Sequence, residues 1–167
     1  VELTALRKAG MDKIYLGLKS SQLKDIATTR QRLAQLLQDA AGKGVQVSLL
    51  LGDPAWMEPQ DRHQLTDLLA KLKGLSFTSL HLDLELEQLG VPVPDQRLKD
   101  LLDTLRAASA ASPWPVEISS HHRWFAEVKP GKTCLPCALP EAGVRQVSLM
   151  IYTRNPKNSA RMAEQIA

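Results

Sequence analysis

The chain has 167 residues, 44% hydrophobic and 23% charged, and its 21 Lys and Arg against 18 Asp and Glu leave a net charge of +3. That balance excludes an intrinsically disordered chain, and its apolar runs are far too short to span a bilayer. The basic residues form no block or stripe, so nucleic acid is not an expected partner. The length suits one domain over residues 1–167, and with no initiator Met, Val1 is expected to be a cut end.

In chain order, Leu3 to Ala9 predicts a helix end capped by Gly10, feeding a first strand at Lys13 to Leu18. Leu33, Leu36, Leu37 and Ala40 stand at helical spacing, Gly42 and Gly44 stop that helix, and Val45 to Leu51 predicts a strand. The unit then repeats. Leu65, Leu68, Leu69 and Leu72 mark a helix ended by Gly74, followed by a strand at Phe77 to Glu85. Leu98, Leu101, Leu102 and Leu105 mark another, and after Pro113 and Pro115 comes a strand at Val116 to His121. A last strand is predicted at Gln146 to Tyr152, with a final helix after Pro156.

Strict alternation of this kind implies a parallel sheet, either doubly wound or closed into a barrel. The strand faces favour the barrel. Alternate residues give Tyr15, Gly17 and Lys19; Gln46, Ser48 and Gly52; His81, Asp83 and Glu85; Glu117, Ser119 and His121; and Ser148, Met150 and Tyr152. The complementary face is Ile, Leu and Val. A doubly wound sheet buries both faces of its central strands under helices, whereas a barrel lumen accepts polar side chains at its open end. The expectation is a (β/α)8 TIM-barrel type of α/β fold, incomplete and covering about five β/α units, since a full barrel needs about 250 residues. The first and the last two strands are expected to be missing, leaving unpaired edges at Lys13 to Leu18 and Gln146 to Tyr152. Ser48, His81, Asp83, Glu85, Ser119 and Tyr152 are expected to converge on one cavity.

The order of these segments resembles the chitinase-like barrels of glycoside hydrolase family 18 over about 140 residues. That family carries a D-x-x-D-x-D-x-E motif on its fourth strand and M-x-Y-D on its sixth. Thr78 to Glu85 occupies the first position and Met150-Ile151-Tyr152 the second, with Val45 to Gly52 resembling the third strand. Thr78 and His81 stand where the first two Asp belong, and Thr153 replaces the Asp of M-x-Y-D. The resemblance implies Glu85 as general acid. It also implies that an N-acetyl group of the substrate serves as nucleophile, oriented by Asp83, with Tyr152 hydrogen-bonding the intermediate.

The residues carry their own argument. Asp83 and Glu85, two apart on one face, are close enough for their charges to couple, which favours a protonated acid of the sort glycoside cleavage needs. The alternative is that both pair with lumen cations such as Lys19 or Arg154. Asp53 is a second candidate carboxylate for base or nucleophile, although Asp before Pro54 is as often a turn former. Of seven aromatic residues, Trp56, Trp124, Phe125 and Tyr152 fall at or just beyond carboxyl ends of predicted strands, where rings stack on sugar C–H faces. The expected catalytic set is therefore Glu85, Asp83 and Tyr152, with Trp56, His81, His121, Trp124, Arg154, Asp53 and Lys19 binding substrate and no cofactor required.

Two other readings stay open. His81, Asp83 and His121 suit a metal-dependent hydrolase, yet adjacent His121 and His122 should point to opposite sides of the sheet. Cys134 and Cys137 close a short disulfide in an oxidising compartment, or form half a zinc site with His122 or a partner in a reducing one. A thioredoxin-like role needs the first Cys at a helix start, and 130–140 predicts no helix. The function classes are thus a glycoside hydrolase acting on an envelope or extracellular polysaccharide, a degenerate barrel that binds glycan or serves as a scaffold, and a metal-dependent hydrolase. A periplasmic or extracellular location suits the first.

Overall fold

The computed structural model describes residues 2–126, 130–153, 155–164 and 166. After helix α1 (Leu3–Lys8), strand β1 (Lys13–Gly17) leads through α2 (Ser20–Lys24) and α3 (Ile26–Gly42) to β2 (Gln46–Leu51). A 3-10 turn at Pro54–Met57 and α4 (Arg62–Leu72) precede β3 (Leu80–Leu82). A second 3-10 turn at Leu86–Leu89 and α5 (Asp95–Ala111) precede β4 (Val116–His121). Two short helices, α6 (Arg123–Ala126) and α7 (Leu135–Ala138), bring the chain to β5 (Val144–Met150), and α8 (Pro156–Glu164) follows. All strands are parallel, in the order β1-β2-β3-β4-β5. β1 and β5 therefore form the two edges, as the alternation predicts.

Every connection moves the chain one strand in the same direction. Because β-α-β crossovers are right-handed, such a sheet collects its long helices on one face. Burial agrees. Leu33, Leu37 and Ala40 of α3, Leu65, Leu68, Leu69 and Leu72 of α4, and Leu98, Leu101, Leu102 and Leu105 of α5 pack against Val47, Leu49, Leu51, Leu80, Leu82, Val116 and Ile118. These are the residues whose 3.6- and 2-residue periods single them out. Helix boundaries also follow local chemistry: Asp25 accepts the Thr28 amide at the start of α3, and Gly74, at φ +87°, ends the turn after α4.

The opposite face is concave. Lys13 and Tyr15 of β1 reach Glu117 of β4, with Lys13 Nζ 2.9 Å from Oε1 and the Tyr15 hydroxyl 3.4 Å from Oε2. In a flat sheet these strands lie about 14 Å apart and their side chains stand perpendicular to it, so they would not meet. The sheet must curl with its polar face inward.

Three expectations need correction. The strand predicted at Phe77 to Glu85 is only Leu80–Leu82, because β4 pairs with it over Leu80–Leu82 alone and the chain turns away into the 3-10 turn beyond Glu85. Backbone bonds from Thr78 to Val47, from Leu49 to Ser79 and from Asp83 to Leu51 still tie its flanks to β2. The last strand lies at Val144–Met150, so Tyr152 falls beyond it. Between Pro130 and Pro140 there is a helix after all, the single turn α7, led by Cys134 with Pro136 in its first turn.

Candidate functional site

The concave face is organised around His81. In register His81 stands opposite Glu117, with Ser119 two residues further along β4. Its Nδ1 lies 3.5 Å from Glu117 Oε2 and its Nε2 2.8 Å from Ser119 Oγ. The Tyr15 ring meets the imidazole edge-on at 4.9 Å. Beside them Ser48 and Ser79 share a hydrogen bond of 2.5 Å, and Lys13 Nζ sits over the Tyr15 ring at 4.9 Å. His81 is 4% exposed and Glu117 7%.

Glu117 is the electrostatic centre of this cluster. Burial pushes its carboxyl up, but hydrogen bonds from Lys13 and Ser79, the Lys13 charge and the His81 hydrogen bond together hold it below the usual glutamate range. Lys13 is the mirror case: burial lowers its ammonium, and hydrogen bonds and charge from Glu117 and Tyr15 raise it overall. A charged carboxylate accepts only, so it fixes the Nδ1–H tautomer of His81 and leaves Nε2 to accept the Ser119 hydroxyl. Of the residues expected to converge, Ser48, His81 and Ser119 do so here, while Glu117 and Lys13 are the partners the sequence did not single out as site residues. Their signal was a lone Glu between Val116 and Ile118 on a buried strand, which demands a cation, and Lys13 on the same face of β1.

Asp83 and Glu85 lie at the carboxyl end of β3. Gly52 at the end of β2 runs so close that a Cβ there would stand 2.6 Å from the Asp83 carbonyl oxygen. Asp83 Oδ1 is itself buried and has no hydrogen-bond partner among the described residues. Glu85 is partly exposed, leads the 3-10 turn, and accepts from Gln88 Nε2 at 3.2 Å. Among the described residues neither carboxylate is in an ion pair, and Lys19 lies exposed at the start of α2. Arg154 lies outside the described residues.

The aromatic set divides. Trp56 is 5% exposed, turned by the Pro54–Met57 turn into the core, so it offers no face to a sugar. Its carbonyl accepts from Thr104, whose hydroxyl in turn accepts from Arg62. Asp53 caps the same turn by accepting the Ala55 amide at 3.0 Å, the turn-forming role. Tyr152 is 83% exposed, outside the concave cluster. Trp124 is half-buried, its indole N–H donating to Glu87 at 3.0 Å and the Arg123 guanidinium 5.6 Å from its ring, with Arg123 also paired to Glu87 at 2.6 Å.

His121 and His122 do not point to opposite faces. His122 has left the strand, and the two rings stack at 4.4 Å. His121 accepts the Arg123 amide at Nδ1, and burial, then the Arg123 and His122 charges, push its imidazole down. His122 Nδ1 donates to the Met150 carbonyl. Among the described residues no three His, Cys, Asp or Glu gather to hold a metal ion. With His81 bonded at both nitrogens, the set of His81, Asp83 and His121 lacks a free donor at its centre. Cys134 and Cys137 form a disulfide, with the Cys134 sulfur accepting the Cys137 amide. No helix among the described residues is long and apolar enough to cross a membrane. No family model and no curated protein matches the chain.

Proposed function

We propose that the chain forms the wall of a (β/α)8-type barrel related to glycoside hydrolase family 18, and that it cleaves an extracellular or envelope polysaccharide with Glu85 as general acid. The observation that carries this reading is Asp83 and Glu85, two residues apart at one strand end, both partly exposed and neither in an ion pair among the described residues. The resemblance assigns the substrate's N-acetyl group to Asp83, and that group, so oriented, attacks the anomeric carbon while Glu85 protonates the leaving oxygen. Tyr152, 83% exposed just beyond β5, is the residue the resemblance assigns to the intermediate. The curl of the sheet, with polar side chains inside and leucines under helices outside, supports the barrel. The disulfide suits an oxidising compartment, periplasmic or extracellular.

A test follows from the acid. Glu85→Gln keeps the shape and the Gln88 contact, so the variant should bind glycan normally and lose hydrolysis by about a hundredfold or more. Activity on N-acetylated oligosaccharides, with binding read in parallel, checks it.

One observation favours a second reading, a barrel that binds glycan without cleaving it. Trp56 is spent in the core, and Thr78 and His81 stand where the resemblance places two of the carboxylates, with His81 instead contacting the Lys13–Glu117 pair. Binding without turnover by the unmutated chain, across a broad glycan panel, would select this reading over the first.

A further inference from the structure

The proposed acid at Glu85 leaves unused the hydrogen-bonded group of His81, Glu117 and Ser119 on the concave face. Glu117 and Ser119 sit two residues apart on β4, about 6.6 Å along the strand, and the His81 ring from the neighbouring strand lies between them with one nitrogen towards each. This spacing follows from strand register, because His81 is paired with Glu117 itself. Tyr15 against the ring, and Lys13, Ser79 and Tyr15 on the carboxylate, hold both groups in place. Ser119 keeps part of its surface open, as does its neighbour Ser148 on β5.

We propose that Ser119, His81 and Glu117 are a nucleophile, base and positioning residue for hydrolysis of a carboxylic ester. A hydroxyl 2.8 Å from an imidazole nitrogen whose other nitrogen faces a carboxylate is the arrangement that activates serine on unrelated folds. Ser119 Oγ bonds to the acyl carbon as its proton passes to His81 Nε2. The carbon–oxygen bond to the alcohol breaks and the alcohol leaves with that proton. Water then attacks the acyl-serine, giving its proton to His81, and the acid departs as Ser119 Oγ takes the proton back. Ester and water become acid and alcohol with no other reactant. Glu117 keeps Nδ1 protonated so that the lone pair of Nε2 always faces Ser119. If the barrel handles polysaccharide, as proposed above, O-acyl groups on sugars are the natural esters, and this clause alone rests on that reading.

The test is fluorophosphonate labelling of the folded full chain, with the modified peptide identified by mass spectrometry. The label is expected on Ser119, absent after unfolding in urea and absent in Ser119→Ala. His81→Gln should slow it about a hundredfold. Glu117→Gln should lower the limiting rate of labelling while the reagent concentration giving half that rate stays unchanged, a split that loosened packing would not produce. An unlabelled Ser119 in the folded unmutated chain overturns the proposal whether or not the variants fold. Labelling that His81→Gln leaves intact overturns it as well. Glycan hydrolysis is a separate readout, so failure here leaves the Glu85 reading standing, and failure of Glu85→Gln leaves this one.

Discussion

Glu117 and Lys13 make opposite demands on pH. A carboxyl lowered in the folded state contributes stability above its unfolded value, about 4.3, and loses it as pH falls through the folded value. A lysine raised in the folded state contributes below about 10.4 and loses it as pH rises through the folded value. Both directions come from the same contact, so the pair stabilises across neutral pH and fades at either end. Removing one partner strands the other: Lys13→Met leaves a 7% exposed carboxylate without its cation, at a cost of about 3 kcal/mol. Urea midpoints across the acid range should therefore fall less steeply for Glu117→Gln than for the unmutated chain. An identical acid limb in the two proteins would assign that limb to other carboxylates.

At the scale of elements, Thr104 shows how a helix layer is registered. Its hydroxyl, fully buried on α5, donates to the Trp56 carbonyl and accepts from Arg62 Nε, joining the Pro54–Met57 turn, α4 and α5. Thr104→Val keeps the shape but leaves the buried Trp56 carbonyl and the Arg62 Nε–H without their partner, so a loss of about 1–3 kcal/mol is expected in denaturant midpoint. The disulfide acts more locally. It closes a very short loop, whose chain-entropy contribution is only about 2 kcal/mol. Reductant should speed amide exchange in α7 and its flanks and leave α4 and α5 unchanged.

These elements were legible in the sequence to different depths. The leucines of α3, α4 and α5 were readable because a helix that buries one stripe must repeat it every 3.6 residues, and the strand faces because a half-polar strand must alternate. The direction in which Trp56 turns was not, because a ring just past a strand depends on the turn that follows, and Asp53-Pro54 starts one that folds it inward. The same holds for His122, where the alternation rule fails once the strand has ended. Glu117 was placed on the right face, but its partnership with β1 depends on sheet curvature, which no local pattern encodes. The short β3 was overestimated because Asp83, Leu84 and Glu85 keep the alternation after pairing with β4 has stopped.

For the whole molecule, the sequential strand order has a physical consequence at its ends. In a parallel sheet successive residues of a strand bond alternately to the neighbour on one side and on the other. β3 has neighbours on both sides, so all its amides along Leu80–Leu82 meet acceptors, while alternate amides of β1 and β5 face outward. Those outward groups have no sheet partner among the described residues. Hydrogen exchange should then be slowest in β3, with protection approaching that of global unfolding, and much faster at every second amide of β1 and β5. The leucines of α3, α4 and α5 pack on one face of the sheet, so the pattern should be the same whether or not the concave face is occupied. Uniform protection along Lys13–Gly17 would show that a further strand pairs with β1 in solution, the contact a curled sheet of this order makes when it closes.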